Sequence, residues 1–321
     1  MPGEKEAIAM KYAAKKLGLM LLTMLIVSFL AFLAFQIIPG DPTNTLLGSE
    51  ATPERVAALR SELGLDRPFF VRYFDWIVNF VQGDFGKSYS YSMPVADMLR
   101  GKLAVTLLLA AISFLMTVLV SIPVGILCAD RGGWLDRIVT VLGQATMAVP
   151  PFFIGILLTY LFGITLHWFV PGEFSAPSVD FWGSVGYLVF PAAAIALPRI
   201  AMTVKMLRSG IMGELNKDYV RTSHSRGNTR RATLYRHVLR NAVVPTVAFL
   251  AMTIADIVAG SVVVEQVFAI PGLGRLLLSS ISNRDYPVVQ AIIVLIAFWV
   301  VLVNFVADLI NQRLDPRLRL Q

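Results

Sequence analysis

Apolar positions in this chain come in long unbroken runs, and the polar residues gather between them. The runs fall at residues 17–38, 103–129, 138–162, 185–204, 242–264 and 288–309. Each is about the 20 residues a helix needs to cross roughly 30 Å of hydrocarbon. Runs of this length exceed ordinary buried core helices. The pattern predicts an all-α polytopic membrane protein with six transmembrane helices. It divides the chain into an amino-terminal segment 1–16, a first helix 17–38, an outer loop 39–102, a five-helix core 103–309 and a tail 310–321.

Three runs carry features that qualify this picture. The first follows Lys11, Lys15 and Lys16, as a secretory signal would, but its 22 apolar residues exceed a signal's apolar region and no small-residue cleavage site follows. It is expected to be a retained span. The fourth holds Pro191, Pro198 and Arg199. Proline is tolerated in a span where neighbours or water satisfy the freed carbonyls. The fifth holds Asp256. A carboxylate at the bilayer centre costs about 2.5–3.5 kcal/mol on insertion scales, so Asp256 is expected to face protein or a wet cavity. Thr253 and Gly260, one turn to either side, give that face a small and polar character. Arg199 and Asp256 form a candidate intramembrane pair.

Charge then sets the orientation. Composition is 56% hydrophobic and 15% charged, with net charge +7 and mean hydropathy +0.68. Those values exclude a disordered chain and disfavour a soluble enzyme. With the amino terminus inside, the inner segments hold 18 Lys and Arg against 9 outside, seven of those in the long first loop. Short loops decide topology, so both termini are expected to be cytoplasmic. The inner loop 205–241 alone carries nine basic and two acidic residues, equal to the whole net charge. The basic balance needs no nucleic acid partner.

The two large loops are patterned. The outer one is too long to lack structure. "TPERVAALRSELG" offers Thr52 as N-cap, Pro53 at the first helical position and Gly64 as a stop. "PFFVRYFDWIVNFVQG" is aromatic-rich and suits a helix at the membrane interface or against the spans. In the inner loop Ile211, Met212, Leu215, Tyr219 and Val220 recur at helical spacing. Gly227 then breaks the pattern as a residue needing positive φ, and Thr229 caps a second helix. Two short amphipathic helices at a bend make a docking element for another protein or an ordinary interfacial loop. Residues 271–287, with Pro271, Gly272 and Gly274 at tight turns and the apolar "RLLLSSI", are expected to fold back against the spans.

Catalytic and metal chemistry find little to use. One cysteine, Cys128, and three scattered histidines, His167, His224 and His237, provide no metal-ligand spacing. No phosphate loop, nucleophile elbow or zinc-protease motif occurs, and "GLGR" at 272–275 lacks the Lys-Ser/Thr of a nucleotide loop. Uphill transport by this chain would need energy from another chain or an ion gradient. No catalytic residue, cofactor or metal is assigned.

The inner-loop segment "DYVRTSHSRGNTRRATLYRHVLRNAVVP" (218–245) resembles the signature loop of binding-protein-dependent ABC importer permeases, specifically the dipeptide/oligopeptide/nickel subfamily of first-subunit type. "IIPGDP" (37–42), "LGLDRP" (63–68), "GDFGKSYSYSMPV" (83–95), "VVVEQVFAIPGLGRLL" (262–277), "RDYPVVQA" (284–291) and "LDPRLR" (314–319) extend the resemblance in order along nearly the whole chain. There are departures. Ser223, His224, Ser225 and Arg226 stand where the family usually has Ala-Arg-Ala-Lys. Ala104-Val105-Thr106 lacks the family's proline before the threonine.

The resemblance implies the type I importer permease architecture in the plasma (inner) membrane. It implies a heterodimer with a second related permease, two cytoplasmic ABC ATPase subunits, an external or periplasmic solute-binding protein, and alternating access driven by ATP. On that footing 205–241 is an ATPase-coupling loop. Tyr219 and Val220 are its anchor, Arg221 and Arg226 its orienting charges and Gly227 its bend, with Asp218 and Thr222 on the same helix. Di- or oligopeptides are the leading solute. Nickel or a metal chelate is the alternative within the subfamily. From a different class, an ion-coupled secondary transporter would use Asp256 as its coupling carboxylate, and a receptor would explain the spans but not the ordered motifs.

Overall fold

The computed structural model describes residues 2–37, 43, 47–48, 51–62 and 64–314. Most of the 37–42 and 314–319 motifs and residues 315–321 of the tail lie outside the described residues. Among the described residues there are helices and no strand, only an isolated bridge between Lys87 and Pro94. In chain order the helices are α1 (Pro2–Ile37), α2 (Pro53–Glu62), α3 (Phe69–Val81), α4 (Val95–Leu99), α5 (Lys102–Arg131), α6 (Gly133–Ala148) and α7 (Pro151–Thr165). Then follow α8 (Phe181–Leu215), α9 (Asp218–Ser225), α10 (Arg230–Val267), α11 (Leu273–Ser282) and α12 (Tyr286–Leu314). Five helices, α1, α5, α8, α10 and α12, are each long and apolar enough to cross a membrane, and the α6–α7 pair makes a sixth span if counted together.

That pair corrects the sequence expectation of one helix over 138–162. The chain bends by 104° between α6 and α7. The break is at Val149-Pro150-Pro151, where Val149 and Pro150 are extended and Pro151 starts the new helix. A residue before proline is pushed out of the α region, and neither proline offers an N–H to continue the ladder. Uniform apolarity hid a break that the dipeptide itself encodes. Pro191 and Pro198, by contrast, sit inside an unbroken α8.

The core forms where α5, α8, α10 and α7 meet. Leu109, Leu188, Ala192, Ala194, Ile195, Ile257 and Phe268 are buried there. The alanines let α8 approach its neighbours closely, the packing that drives association where no hydrophobic effect operates between helices. At the rim, α1 lies along α12, with Lys16 paired to Asp308 at 2.6 Å. Helix α3 packs its Phe69, Tyr73 and Trp76 rings on Phe29 and Phe32 of α1. Tyr73 OH and Ser28 Oγ meet at 2.9 Å. Both outer-loop helices that the sequence predicts are therefore present. Arg55 N–H donates to Thr52 Oγ1 at 3.3 Å, and Gly64 follows α2 at φ +65°.

One end of the bundle is closed by α11, which folds back as the 271–287 pattern predicts. Leu273, Leu276 and Leu277 are buried and Leu278 is half-buried. Two carboxylates fasten this end. Glu265, at the end of α10, is fully buried. It accepts from Thr106 Oγ1 of α5 at 2.7 Å and from Gly274 N–H at 2.7 Å and Arg275 N–H at 3.2 Å. Thr106 Oγ1 in turn accepts from Leu273 N–H at 2.9 Å. Asp285, also fully buried, receives the Ser88 hydroxyl, Tyr89 N–H at 2.9 Å and Ser90 N–H at 3.4 Å. Two segments that the sequence shows far apart, 83–95 and 284–291, are thus tied together.

The opposite end corrects a second expectation. Residues 205–215 belong to α8, which runs on unbroken, and α10 begins at Arg230. Two helices do meet at the bend, α9 and the start of α10 at the Thr229 cap, but the second is not a short loop helix: it runs on into the span. At 1.5 Å per residue α8 extends about 50 Å, well beyond a hydrocarbon core. Hydropathy falls after Val204, but the buried face continues through Leu207 and Ile211. Met212 of the same pattern is exposed.

The α10–α11 contact gives a direct test. A Cβ on Gly274 would fall on the backbone of Val262, whereas one on Gly186, inside α8, would meet nothing within 4 Å. Gly274→Ala is expected to lower the thermal unfolding temperature of the detergent-purified protein. Gly186→Ala is expected to leave it unchanged or raise it, since alanine favours a helix by about 1 kcal/mol. Equal behaviour of the two would contradict the close approach.

Candidate functional site: the α9 loop and the Arg199–Asp256 crossing

Helix α9 is held against its own chain by local chemistry. Its C-terminus is a Schellman motif. Asn228 N–H donates to Ser223 O at 3.3 Å and Gly227 N–H to His224 O at 2.9 Å, with Gly227 at φ +81°. Thr229 caps α10, accepting from Ala232 N–H at 3.3 Å. A polar cluster then closes the bend. Ser223 Oγ and Thr233 Oγ1 meet at 3.0 Å, and Asn228 Nδ2 donates to Ser223 Oγ at 3.1 Å.

The helix has two faces. Val220 is buried and joins Leu207, Ile211, Leu234 and Val238 in one apolar cluster. Tyr219 is half-buried and donates its hydroxyl to Glu214 at 2.7 Å. Burial and that carboxylate push the Tyr219 phenol above its ordinary range, so it stays a donor near neutral pH. Lys217 also pairs with Glu214. Asp218, Arg221, Thr222 and Arg226 face outward. Asp218 and Arg221 come within 3.7 Å, with side chains 97% and 82% exposed. Of the expected anchor, Val220 therefore faces into its own chain and Tyr219 is tied to Glu214. The surface left for a partner is polar and charged.

The loop is also tied to the spans. Arg208 of α8 makes a two-pronged pair with Asp136 of α6, its Nη2 at 2.6 Å from Oδ2. Arg230 Nη2 donates to Asp130 O at the end of α5 at 2.9 Å. His224, one of the residues that depart from the resemblance, is exposed, with Nδ1 3.3 Å from Asn228 O.

The intramembrane candidates do meet, though not as an ion pair. Arg199 Nη2 donates to the backbone carbonyl of Asp256 at 2.8 Å, and Nη1 to Ile195 O at 2.8 Å. A Cβ at Gly260 would stand 3.0 Å from Nη2, so this glycine makes room for the guanidinium. Among the described residues the Asp256 carboxylate makes no ion-pair contact with Arg199 and acts on it only through its charge at longer range, while Asp256 lies on the exposed face of α10. The two residues expected to pair thus meet through the Asp256 backbone, not in a direct carboxylate contact. Helical spacing places both residues at a crossing, but only the rotation of α10 decides whether side chain or backbone meets the guanidinium. Sequence reasoning also missed Glu265 and Asp285, whose partners lie 159 and 197 positions away. Glu265 at least shows as an acid in an apolar run, whereas Asp285, after Ser282-Asn283-Arg284, carries no such local sign.

Residues 121–320 match the family described as the binding-protein-dependent transport system inner membrane component, and residues 9–110 match the family of its amino-terminal region. The chain belongs to this family. A protein of Brucella abortus (strain 2308) named as a peptide transport system permease is 38% identical over 298 residues, covering 92% of this chain and 95% of that protein. A protein of Sinorhizobium fredii (strain NBRC 101917 / NGR234) named as a peptide ABC transporter permease is 33% identical over 309 residues, 96% and 99% of the two chains. The glutathione transport system permease protein GsiC of Salmonella typhimurium (strain LT2) is 34% identical over 313 residues, 97% and 99%. The chain is thus a multi-pass inner-membrane permease component of an ABC importer, which works with ATPase and substrate-binding components. The α9 loop and the Arg199–Asp256 crossing both lie within the matched residues.

Two substitutions test this geometry. Gly227→Val forces a β-branched residue to positive φ, a strain of about 1–3 kcal/mol. Solute uptake is expected to be lost while the permease still inserts in the membrane; normal uptake by a well-expressed variant would remove the bend from the mechanism. Arg199→Gln loses the two-carbonyl bridge, whereas Asp256→Asn leaves the backbone acceptor in place. Arg199→Gln is expected to lower thermal stability more than Asp256→Asn, with the two losses adding to within roughly 0.5 kcal/mol in the double variant. Strong non-additivity would restore the charge pair.

Proposed function

We propose that this chain is one of two related permease subunits of an ATP-driven importer for di- or oligopeptides. The α9 loop is its coupling element. One observation carries the coupling role. A short helix with an outward face of Asp218, Arg221, Thr222 and Arg226 is braced between two long candidate spans, α8 and α10. Those helices reach from the loop to the far end of the bundle, so a displacement of α9 is delivered to the spans as rigid-body motion. A polar, charged face suits a groove on a cytoplasmic ATPase, where charge complementarity sets register and partner choice.

The excess of Lys and Arg on the α9 side supports an orientation with both termini in the cytoplasm, and with α11 and the 83–95 segment outside. The chain has no phosphate-loop sequence, so ATP hydrolysis is assigned to the partner ATPases. Peptides are favoured because the relatives are named for peptide or glutathione transport, and glutathione is itself a tripeptide. An external solute-binding protein delivers them, and alternating access moves them inward.

Arg221→Glu is expected to leave the thermal stability of the isolated chain within about 0.5 kcal/mol, as for a solvated residue. It should abolish recovery of ATPase subunits with the permease. Val220→Asp should instead destabilise the chain itself. Unimpaired ATPase recovery with Arg221→Glu would argue against docking here. Purification of the intact complex should also yield one different permease; a transport-competent homodimer would refute the two-permease assembly.

A further inference from the structure

The end of the bundle assigned to the outside holds an open cavity of about 740 Å³. Its walls come from the segment before α5, the end of α10 and the exposed flank of α11. Three cations, Arg100, Lys102 and Arg275, line it against one acid, Asp97. Arg100 and Asp97 come within 3.5 Å of each other on the rim. The other two cations form no ion pair among the described residues. The Arg275 guanidinium spends one nitrogen on the carbonyl of Ala269 and meets no carboxylate. Glu265 lies beneath the floor at Gly272, but its oxygens are taken by Thr106 and the Gly274 and Arg275 N–H groups.

An exposed stripe of α10 runs from the cavity into the span region. Gln266 lines the cavity and is exposed, and Val263, Ala259, Asp256 and Met252 follow on the same exposed stripe of α10. Asp256 lies roughly 15 Å along the helix from Gln266, at 1.5 Å per residue. A face with an exposed carboxylate does not turn to lipid. The exposed stripe of α10 therefore joins the cavity at Gln266 to Asp256, with Val263 and Ala259 between them.

We propose that this cavity is an anion-recognition site at the outer mouth of the pathway, where Lys102 and Arg275 take the free carboxylate of the incoming solute beside the Gln266 amide. The assignment of the solute as a peptide rests on the function proposed above. Every linear peptide carries one terminal carboxylate whatever its side chains, so a site that reads this group alone serves solutes of varied sequence. The guanidinium can grip a carboxylate with two parallel bonds, and the ammonium adds a point charge. The phosphate of a lipid headgroup offers the same anionic oxygens, and the test separates the two sources.

The assembled transporter, without its binding protein, is placed in phosphatidylcholine nanodiscs and treated with a water-soluble lysine-acylating reagent, with Lys102 modification followed by mass spectrometry. Diglycine is expected to slow acylation of Lys102. Glycylglycinamide, which carries an amine but no carboxylate, is expected not to. In Arg275→Gln the diglycine concentration needed should rise about tenfold, the effect of one charge-assisted hydrogen bond. Arg275→Lys should retain part of the protection. Equal protection by acid and amide, or none by either, overturns the proposal. Protection by phosphatidylglycerol nanodiscs that diglycine does not change assigns the site to a headgroup and also overturns it. Uptake of diglycine by the complete transporter is measured separately. Absent uptake with Lys102 still protected would sink the peptide assignment and leave the anion site standing.

Discussion

A single buried carboxylate holds the α11 end of this permease together. Glu265 has no exposed surface, yet it accepts hydrogen bonds from α5 through Thr106 and from the first turn of α11 through two backbone N–H groups. The first N–H groups of a helix have no partner within it, and the helix dipole favours negative charge there. The group and its partners Thr106 and Gly274 are buried, so loss of the carboxylate would orphan both donors at once. Three helices must therefore keep their relative positions for this one group to be satisfied. Gly272 and Gly274 are short because the carboxylate and the α10 backbone occupy the space a side chain would take.

The same helix links the two ends. From Arg230 to Val267, α10 runs from the Schellman turn of the α9 loop to Glu265. Arg199 crosses it midway, gripping the Asp256 carbonyl, with Gly260 leaving the space. At the loop end, Val220 seals the apolar seam between α8 and α10. A force applied to the outward face of α9 meets rigid helices and not a flexible tether, which is what rigid-body rocking requires.

The side chains at the α11 end follow a division of labour. Asp285 gathers the Ser88 hydroxyl and two backbone N–H groups, fixing the 83–95 segment over the bundle. With that segment fixed, Arg100 and Lys102 are brought opposite Arg275 around one cavity. Glu265 and Asp285 are spent on structure, so among the described residues Lys102 and Arg275 meet no carboxylate beside this cavity.

Much of this was legible in the sequence because it is local. The apolar runs mark helices through a length set by the bilayer, and the caps at Thr52 and Thr229 and the positive φ at Gly227 follow from contacts within a few residues. The Pro150–Pro151 break was equally local but masked by even apolarity. What the tertiary structure alone decided is rotational and long-range. Whether Val220 points out or in, whether Arg199 meets a carboxylate or a carbonyl, and that Glu265 finds Thr106 and Asp285 finds Ser88 depend on how helices turn about their axes. Helical periodicity tells which residues share a face, but only packing against distant segments selects what that face meets.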